Sequence, residues 1–423
     1  MGKDVNIQRD LDQKLGISNW ISNDCYGTLF WATGTGKSRG ALLTVDHIYS
    51  IKKNPKILLV VPTRKLRDRN WKNEAIKWSK SEEYDKFDRS CYASISKIEG
   101  KEYDLVILDE AHHITENNNQ FFLNNKVAAV LGLTATEPQK KDKKDLLYAV
   151  APKVHTITLE EAVKKGYVSP FKINVVGIPV STNKNDFEVK NSKVHFWQSE
   201  KSAYDFECKK IDKFVLQKKE LYESTQEELL ELKINGKHKE IYEIEKNLAK
   251  KMESLNKQIK MLRLNRLRFL QNSISKQKIA KMMLDHFFDK DERLLIFAGS
   301  IKQANFLCEQ AFHSKTKDHD YNAFNAGEIN RLSCVMSLNE GENVEDLQTA
   351  LVTQVTRQEL VFIQRLGRLV RYKEDRLANI WILCLLDTVD EEWIEEALKS
   401  FNMDNINFYS LEDIFDLIEV KED

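Results

Sequence analysis

A glycine-rich segment near the N-terminus contains the residue types that bind phosphate. Thr33-Gly34-Thr35-Gly36-Lys37-Ser38 follows a short apolar run and precedes a helix-like stretch. Glycines let successive backbone N–H groups face one point, and a helix N-terminus adds its positive dipole end there. Lys37 is then expected on the β- and γ-phosphates of a nucleoside triphosphate, and the Ser38 hydroxyl on Mg²⁺. The strict G-x-x-x-x-G-K-[ST] pattern fails at Trp31, so a glycine-rich turn with a chance Lys-Ser pair is the alternative, but the strand–loop–helix context favours a nucleotide site.

A second apolar run, Leu105–Leu108, ends in two carboxylates, Asp109 and Glu110. Ligands of open α/β sheets bind at the C-terminal edge of the strands. A phosphate-loop enzyme needs an Asp here to hold Mg²⁺ through water and a second group to orient the attacking water, which suits Glu110. Two acids after a strand can also be a helix N-cap, but beside a phosphate loop the catalytic interpretation is favoured. His112 and His113 follow, yet no further His or Cys has ligand spacing, so the expected metal is Mg²⁺ brought by the nucleotide.

These residues must be positioned by a sheet that brings several strand ends to one edge. Buried parallel strands read as short runs of Val, Ile and Leu, because helices cover both faces of the sheet. Such runs occur at Gly27–Ala32, Ile57–Pro62, Leu105–Leu108 and Val127–Leu133. They predict a doubly wound α/β domain over residues 1–178, ending near Ile178.

A second group of apolar runs predicts a second, smaller α/β domain over residues 289–400. The expected strands are Arg293–Phe297, Leu332–Met336, Thr349–Val352 and Asn379–Leu385, with a helix at Lys302–Phe312. The acidic residues 401–423 are expected to form a short helical tail.

Residues 197–288 contain no Pro and one Gly, and they predict an antiparallel helical hairpin with its turn at Asn235-Gly236. Apolar side chains on the first side recur at seven residues, at Val215, Tyr222 and Leu229. On the second side they step by three and four, at Ile241, Ile244, Leu248, Met252, Leu255, Ile259 and Leu262. These spacings are typical of a coiled-coil seam.

The second helix of this hairpin is basic, while the first is acidic around Glu220–Glu231. Residues 246–268 contain one acidic residue, Glu253, and eight basic residues, which are Lys246, Lys250, Lys251, Lys257, Lys260, Arg263, Arg266 and Arg268. One interpretation is that Lys257, Lys260 and Arg263 contact nucleic-acid phosphates and release counterions. The other is that the acidic and basic helices pair with each other. The sequence leaves both open.

The composition limits the class of protein. The chain has 423 residues, with Lys+Arg and Asp+Glu at 65 each, so a polyanion-binding surface must be local and a basic tail-type binder is not expected. No apolar run approaches the length of a membrane span, and no signal-like region follows the N-terminus. The six cysteines are scattered without a C-x-x-C pair, which argues against a structural zinc or iron–sulfur site. We expect a reducing, cytoplasmic location, in the host cytoplasm if the protein is encoded by a virus or mobile element.

The motifs taken together resemble those of the superfamily 2 helicases. The phosphate loop and Asp109-Glu110-Ala111-His112 resemble the Walker A and DEAH elements. Further segments resemble motifs Ia, III, V and VI in the order of the family, at Val60–Leu66, Leu133–Thr136, Ser337–Val344 and Gln364–Arg371. The loop ATGTGKS and the motif V sequence NEG make the chain similar to restriction-enzyme motor subunits and phage recombination and repair helicases.

The resemblance implies two RecA-like parallel-sheet domains with an inserted helical hairpin, and ATP bound between the domains. In the family, motif VI supplies arginines across the cleft, which here are Arg368 and Arg371, while Gln364 helps to sense the γ-phosphate. Arg9 and Gln13 lie where an adenine-reading motif falls. Gly341 and Asn343 of motif V also belong to the expected nucleotide site, and Asn343 replaces the usual Asp.

The resemblance also implies where nucleic acid binds. Family members contact the strand backbone through motifs Ia, III and V, and such contacts carry no sequence information. The matching residues are Pro62, Thr63, Arg64, Lys65, Thr134, Thr136, Ser337 and Asn339.

The activity implied is ATP hydrolysis with Mg²⁺, coupled to translocation along DNA with duplex unwinding or branch migration. The DNA is expected to be single-stranded, forked or branched. An RNA helicase is a second hypothesis, since nothing in these motifs distinguishes the two sugars. A third is an ATP-gated clamp or interaction module, whose hairpin recruits a protein partner without unwinding.

Overall fold

The computed structural model describes residues 2–64, 66–138, 140–168, 170–190, 195–235, 237–316, 318–335, 347–355, 377–399 and 401–422. Within these ranges the chain forms two parallel sheets with helices, together with a long helical hairpin. The predicted α/β class with two parallel sheets is confirmed.

The first sheet is built from short strands that are mostly apolar. They are β1 (Tyr26–Trp31), β2 (Ile57–Val61), β3 (Asp88–Cys91), β5 (Leu105–Asp109), β7 (Val130–Thr134) and β8 (Lys153–Ile157), while β4 (Glu102–Tyr103) pairs with β6 (Lys126–Val127). The helices of this part are α1 (Gly2–Ser22), α2 (Lys37–Ile51), α3 (Trp71–Lys77), α4 (Ser81–Asp85), α5 (Glu116–Asn124), α6 (Lys141–Val150) and α7 (Leu159–Lys164). Among the described residues, six strands run parallel in the order β3-β2-β5-β7-β1-β8. The run predicted at 127–133 is divided between β6 and β7.

Both faces of this sheet are buried, because successive side chains of each strand point to opposite sides. Leu59 and Val61 of β2 pack in one apolar cluster with Trp31, while Leu58 and Val60 pack in another with Phe121. All residues of β2, β5 and β7 are buried, as the continuous apolar runs predict.

The second sheet follows the same principle. Its strands are β9 (Phe171–Ile178), β12 (Leu294–Ala298), β13 (Ala311–Phe312), β14 (Arg331–Val335), β15 (Thr349–Val352), β16 (Ala378–Leu385) and β17 (Ile406–Tyr409), and β10 (Phe187–Lys190) with β11 (His195–Gln198) forms a separate antiparallel ribbon. The helices are α8 (Glu200–Ile234), α9 (His238–Gln271), α10 (Ile274–Met282), α11 (Ile301–Leu307), α12 (His319–Ala326), α13 (Val389–Leu398) and α14 (Leu411–Glu422). In the part of the chain that is described, the seven strands run parallel in the order β13-β14-β12-β15-β16-β9-β17.

Three segments differ from the sequence-based expectation. Strand β9, which we assigned to the first domain, pairs along its whole length with β16 and on its other side with β17, so residues 171–178 belong to the second sheet. The tail 401–423 is not only helical, because β17 adds a strand to the sheet before α14 begins. The helix predicted at 302–312 ends at Leu307, and Ala311–Phe312 forms β13. The division of the chain into domains stays a prediction.

The helical hairpin consists of α8 and α9, with Asn235 as the C-cap of α8. On α9 the predicted seam is confirmed, because its seven positions are buried or half-buried while the residues between them are exposed. On α8 the prediction is wrong at Val215 and Tyr222, which are 41% and 49% exposed. The less exposed positions lie one residue earlier, at Phe214 and Leu221. Since α8 carries adjacent apolar pairs at these points, its seven-residue repeat can be read in two registers.

Across the described residues, we find no helix that is both long and apolar enough to span a membrane.

Candidate nucleotide and nucleic-acid site

The phosphate loop connects the end of β1 to the start of α2. Gly36 has a φ of 94°, in the left-handed region that favours glycine, and a Cβ at this position would collide with Gln13 Nε2. The Thr35 hydroxyl donates to the Ala32 carbonyl at 2.6 Å, so this buried side chain closes the turn of the loop. Lys37 Nζ donates to the Trp31 carbonyl at 3.3 Å, which keeps the ammonium at the loop. Ser38 lies in the first turn of α2, and Thr33 and Gly34 form the outer part of the loop.

Trp31 explains why the strict phosphate-loop pattern fails at one position without loss of the loop. It is the last residue of β1, and its fully buried side chain packs in the apolar cluster on one face of the sheet. Its indole Nε1 donates to His155 Nδ1 at 2.9 Å, and a Cβ on Gly40 of α2 would lie 2.7 Å from its Cζ3. Trp31 therefore fixes the distance between β1 and α2, while backbone groups further along form the phosphate cradle.

The predicted adenine-reading residues on α1 lie beside this loop. Gln13 is 1% exposed, and its Nε2 donates to the Thr35 carbonyl at 2.7 Å. Arg39 donates to Gln13 Oε1 and to the Asp10 carboxylate. The Gln13 amide thus donates to the phosphate loop through its nitrogen and accepts from Arg39 of α2 through its oxygen. Arg9 donates to the Tyr167 carbonyl at 2.7 Å, and its guanidinium lies 5.2 Å from the centroid of the Tyr167 ring.

The carboxylates lie at the end of β5, and both are buried. Asp109 Oδ1 accepts from the Glu110 amide at 3.0 Å, and Asp109 Oδ2 accepts from the Trp71 indole at 2.8 Å. The Tyr92 hydroxyl donates to the Asp109 carbonyl at 2.9 Å. Glu110 has a φ of 49°, a strained conformation for a residue with a Cβ, and such strain is typical of positions that aim a side chain for function.

The metal predicted at Ser38 and Asp109 fits the donors that are present. β1 and β5 both pair with β7, where Leu29 and Asp109 lie opposite the same residue, Leu133. Two strand spacings of about 4.8 Å therefore separate the two strand ends. A hydroxyl and a carboxylate are hard oxygen donors, which Mg²⁺ prefers while keeping several of its waters.

A hydrogen bond joins the DEAH element to motif III. His112 Nδ1 and Thr134 Oγ1 are 2.9 Å apart, and Thr134 Oγ1 donates to the Thr136 carbonyl at 2.8 Å. His112 Nδ1 also lies 3.5 Å from Glu110 Oε2. Thr134 is fully buried, so in this conformation its side chain links Glu110 and His112 to the loop at Thr136 and does not reach the surface.

Besides Thr134 and Thr136, the predicted nucleic-acid residues that are described lie in two places. Pro62 is half-buried after β2, and Thr63 and Arg64 are exposed next to it. Lys257, Lys260 and Arg263 are exposed on α9. Within the described residues of the hairpin helices, the ion pairs join residues of the same helix, as between Lys257 and Glu253 at 2.7 Å, which does not favour pairing between the two helices.

Several predicted site residues lie outside the described residues. They are Lys65 of motif Ia, Ser337, Asn339, Gly341 and Asn343 of motif V, and Gln364, Arg368 and Arg371 of motif VI. Conversely, sequence reasoning missed Trp71, Tyr92 and His155. Trp71 follows motif Ia closely in the sequence, but Tyr92 and His155 lie near none of the motifs, and the contacts of all three come from strand order.

Comparison with known proteins gives related sequences over most of the chain. Residues 7–139 match the family model described as type III restriction enzyme, res subunit. The DNA 3'-5' translocase XPB2 of Sulfurisphaera tokodaii is 27% identical over 399 residues, which cover 88% of this chain and 80% of the relative.

Solved structures share the fold at low identity. The helicase domain of Pyrococcus furiosus Hef has a TM-score of 0.51 at 13% identity, covering 93% of this chain and 98% of that one. The type ISP restriction-modification enzyme LlaBIII bound to DNA has a TM-score of 0.56 at 14% identity, covering 96% of this chain and 32% of that one. S. cerevisiae Dbp5 bound to RNA and ADP BeF3 has a TM-score of 0.53 at 11% identity, covering 97% of this chain and 92% of that one. These likenesses confirm the expected fold of two RecA-like domains.

Proposed function

Since the chain belongs to the superfamily 2 helicases and is related to the motor subunits of restriction enzymes, we propose that it is an ATP-dependent DNA translocase that can unwind or branch-migrate duplexes. The observation that carries the proposal is the common edge of the first sheet. There the phosphate loop after β1 and the Asp109–Glu110 pair at the end of β5 flank Thr134 of β7.

The residues at this edge have separate roles in the proposed hydrolysis. Lys37 and the loop amides hold the triphosphate, while Ser38 and Asp109 hold Mg²⁺, which neutralises charge on the transferred phosphoryl group. Glu110 orients the attacking water and accepts its proton. His112 and Thr134 connect Glu110 to the loop at Thr136, because His112 contacts both Glu110 and Thr134, and Thr134 donates to the Thr136 carbonyl. Arg368 and Arg371 are proposed to stabilise the transition state from the second domain.

DNA is the proposed track, and the relative named a DNA 3'-5' translocase supports it together with that direction of movement. Backbone contacts at Pro62–Arg64 and on α9 would hold the strand without reading its sequence. We also propose that the protein acts in DNA replication or repair. The hairpin would bind a partner protein that recruits the motor to its DNA.

The first test is ATP hydrolysis with single-stranded DNA, duplex DNA, RNA and no polymer. We expect strong stimulation by DNA and its loss in Glu110→Gln, which keeps the size of the side chain but removes its negative charge. Glu116→Gln, an exposed acid at the start of α5, is the matched control and should behave as the wild type. Stimulation by RNA alone would favour the RNA helicase, and ATP binding without hydrolysis on any polymer would leave the gated clamp.

The second test is movement. A duplex flanked by single strands of defined polarity separates the two directions, and we expect strand displacement only when the loading strand allows 3'-to-5' movement. A DNA-stimulated ATPase that neither displaces a strand nor removes a third strand from a triplex would contradict translocation.

A further inference from the structure

Trp71 makes a contact that the proposed hydrolysis does not use. It opens α3, its side chain is 2% exposed, and its indole N–H donates to Asp109 Oδ2 at 2.8 Å. A buried indole N–H needs an acceptor, and a carboxylate acceptor makes the hydrogen bond charge-assisted. With the Glu110 amide on the other oxygen at 3.0 Å, the bond fixes the plane of the carboxylate that we propose to hold Mg²⁺.

Trp71 is also continuous with the expected nucleic-acid contact at Pro62–Arg64. The segment Leu66–Asn70 is a single π-helical turn that leads directly into α3. Thr63 begins this turn, because its hydroxyl accepts from the Leu66 amide at 3.4 Å and its carbonyl accepts from the Arg67 amide at 3.2 Å. On the other side, the Tyr84 hydroxyl donates to the Arg67 carbonyl and ties the turn to α4. A shift of Thr63 on binding a strand would therefore move the turn that carries Trp71.

We propose that Trp71 is a positioning residue, which orients the Asp109 carboxylate for Mg²⁺ and links strand binding at Pro62–Arg64 to the metal site. The inference rests on the proposed function for the existence of the nucleotide–metal site and of the strand contact. It requires nothing of translocation or of strand separation. Removing a residue that hydrogen-bonds to a metal-ligating group typically lowers the affinity for the metal about ten- to a hundredfold.

The test measures Mn²⁺ binding by electron paramagnetic resonance in the presence of ADP, with the full chain and without turnover. Trp71→Phe keeps an aromatic ring in the core but cannot donate, and we expect Mn²⁺ to bind about tenfold or more weakly. Trp78→Phe is the matched control, because the Trp78 indole at the end of the same helix also donates to a carboxylate, that of Glu74, at 3.3 Å. ADP affinity without metal should be equal in all three proteins, which shows that the fold is intact.

The same titration with single-stranded DNA tests the link. Coupling between sites is reciprocal and typically about fivefold or more, so DNA should tighten Mn²⁺ binding in the wild type and in Trp78→Phe but not in Trp71→Phe. Equal Mn²⁺ affinity of Trp71→Phe and wild type would overturn the positioning role, and equal tightening by DNA would overturn the link. If the wild type itself binds no Mn²⁺ with ADP, the proposed nucleotide–metal site fails instead.

Discussion

Gln13 uses both ends of its side-chain amide within the protein. Its Nε2 donates to the Thr35 carbonyl of the phosphate loop, and its Oε1 accepts from Arg39, which also pairs with Asp10. Gly36 must lack a side chain to leave room for the amide. At the scale of single residues, α1 therefore holds the loop in shape before any base is recognised.

Replacing Gln13 by Ala should weaken binding of a non-hydrolysable ATP analogue by about tenfold, since one buried hydrogen bond contributes about 1–1.5 kcal/mol. Titration calorimetry measures the affinity. Gln8→Ala, an exposed position on the same helix, should bind the analogue as the wild type does. Unchanged affinity in Gln13→Ala would mean that the loop keeps its shape without α1.

His155 gives the phosphate-loop region a pH dependence. Burial lowers the pKa of His155 below its ordinary value of 6.5, Lys165 acts in the same direction, and Asp12 and Glu161 oppose it. Its Nδ1 accepts from the Trp31 indole, so the neutral ring is the one that fits. Between the lowered pKa and 6.5 the unfolded chain binds more protons than the folded one, so stability is lost as the pH falls through this window.

We therefore expect the melting temperature of the wild type to fall more steeply than that of His155→Gln as the pH drops below 6.5. Glutamine keeps an acceptor for the Trp31 indole but does not titrate in this range. Melting curves across the window measure the difference between the two proteins, which cancels the carboxylates that they share. If the melting temperatures of the two proteins fell in parallel with pH, protonation of His155 would not destabilise the folded protein, and the prediction would be wrong.

At the scale of elements, buried charges attach the base of the hairpin to the second sheet. Lys276 on α10 and Asp390 on α13 form an ion pair at 2.5 Å with both side chains fully buried. Asp390 also accepts from the side chain of Gln354 at 2.9 Å and from the Leu385 amide at 2.8 Å. Glu200, the first residue of α8, is fully buried and accepts from the Ile274 and Ser275 amides at the start of α10. The hairpin is thus joined through α10 and Asp390 of α13 to Leu385 of β16 and to Gln354, which follows β15, by buried polar contacts.

Lys276→Met should destabilise the protein by about 3–5 kcal/mol, because it leaves the Asp390 charge buried without its partner. Urea or thermal unfolding measures the loss. Lys281→Met is the control on the same helix, because Lys281 pairs with Asp285 and both side chains are exposed, at 45% and 44%, so it should change little. The double variant Lys276→Met/Asp390→Leu should recover much of the loss, and a double variant as unstable as the single one would contradict the ion-pair account.

At the scale of the whole molecule, the sequence predicted what local chemistry dictates. The phosphate loop and the Asp109–Glu110 pair are short motifs next to apolar strands, and both lie where expected. Strand β9 was misassigned because its partners, β16 and β17, are chosen by sheet order and not by its own residues. The contact of Trp71 with Asp109 spans 38 positions and exists because β2 pairs with β5. The roles of individual site residues stay predictions.

The hairpin is the element whose function the motifs do not define, and its charge offers the last prediction. Lys257, Lys260 and Arg263 are exposed on α9, and the ion pairs among the described residues of the hairpin stay within each helix, so their charge is not used to hold α8. Replacing all three by Gln keeps helix propensity but removes three positive charges. If they contact duplex phosphates, the slope of log affinity against log salt should become shallower by about 2–3, since each contact contributes about 0.9.

Fluorescence anisotropy with labelled duplex DNA at several salt concentrations measures this slope. The matched control replaces Lys209, Lys213 and Lys219 on α8, which are equally exposed, and it should leave the slope as in the wild type. A slope unchanged in the α9 variant would place the duplex away from the hairpin. Because removal of three charges lowers non-specific attraction anywhere on the molecule, only a difference between the α9 and α8 variants locates the contact on one face of one helix.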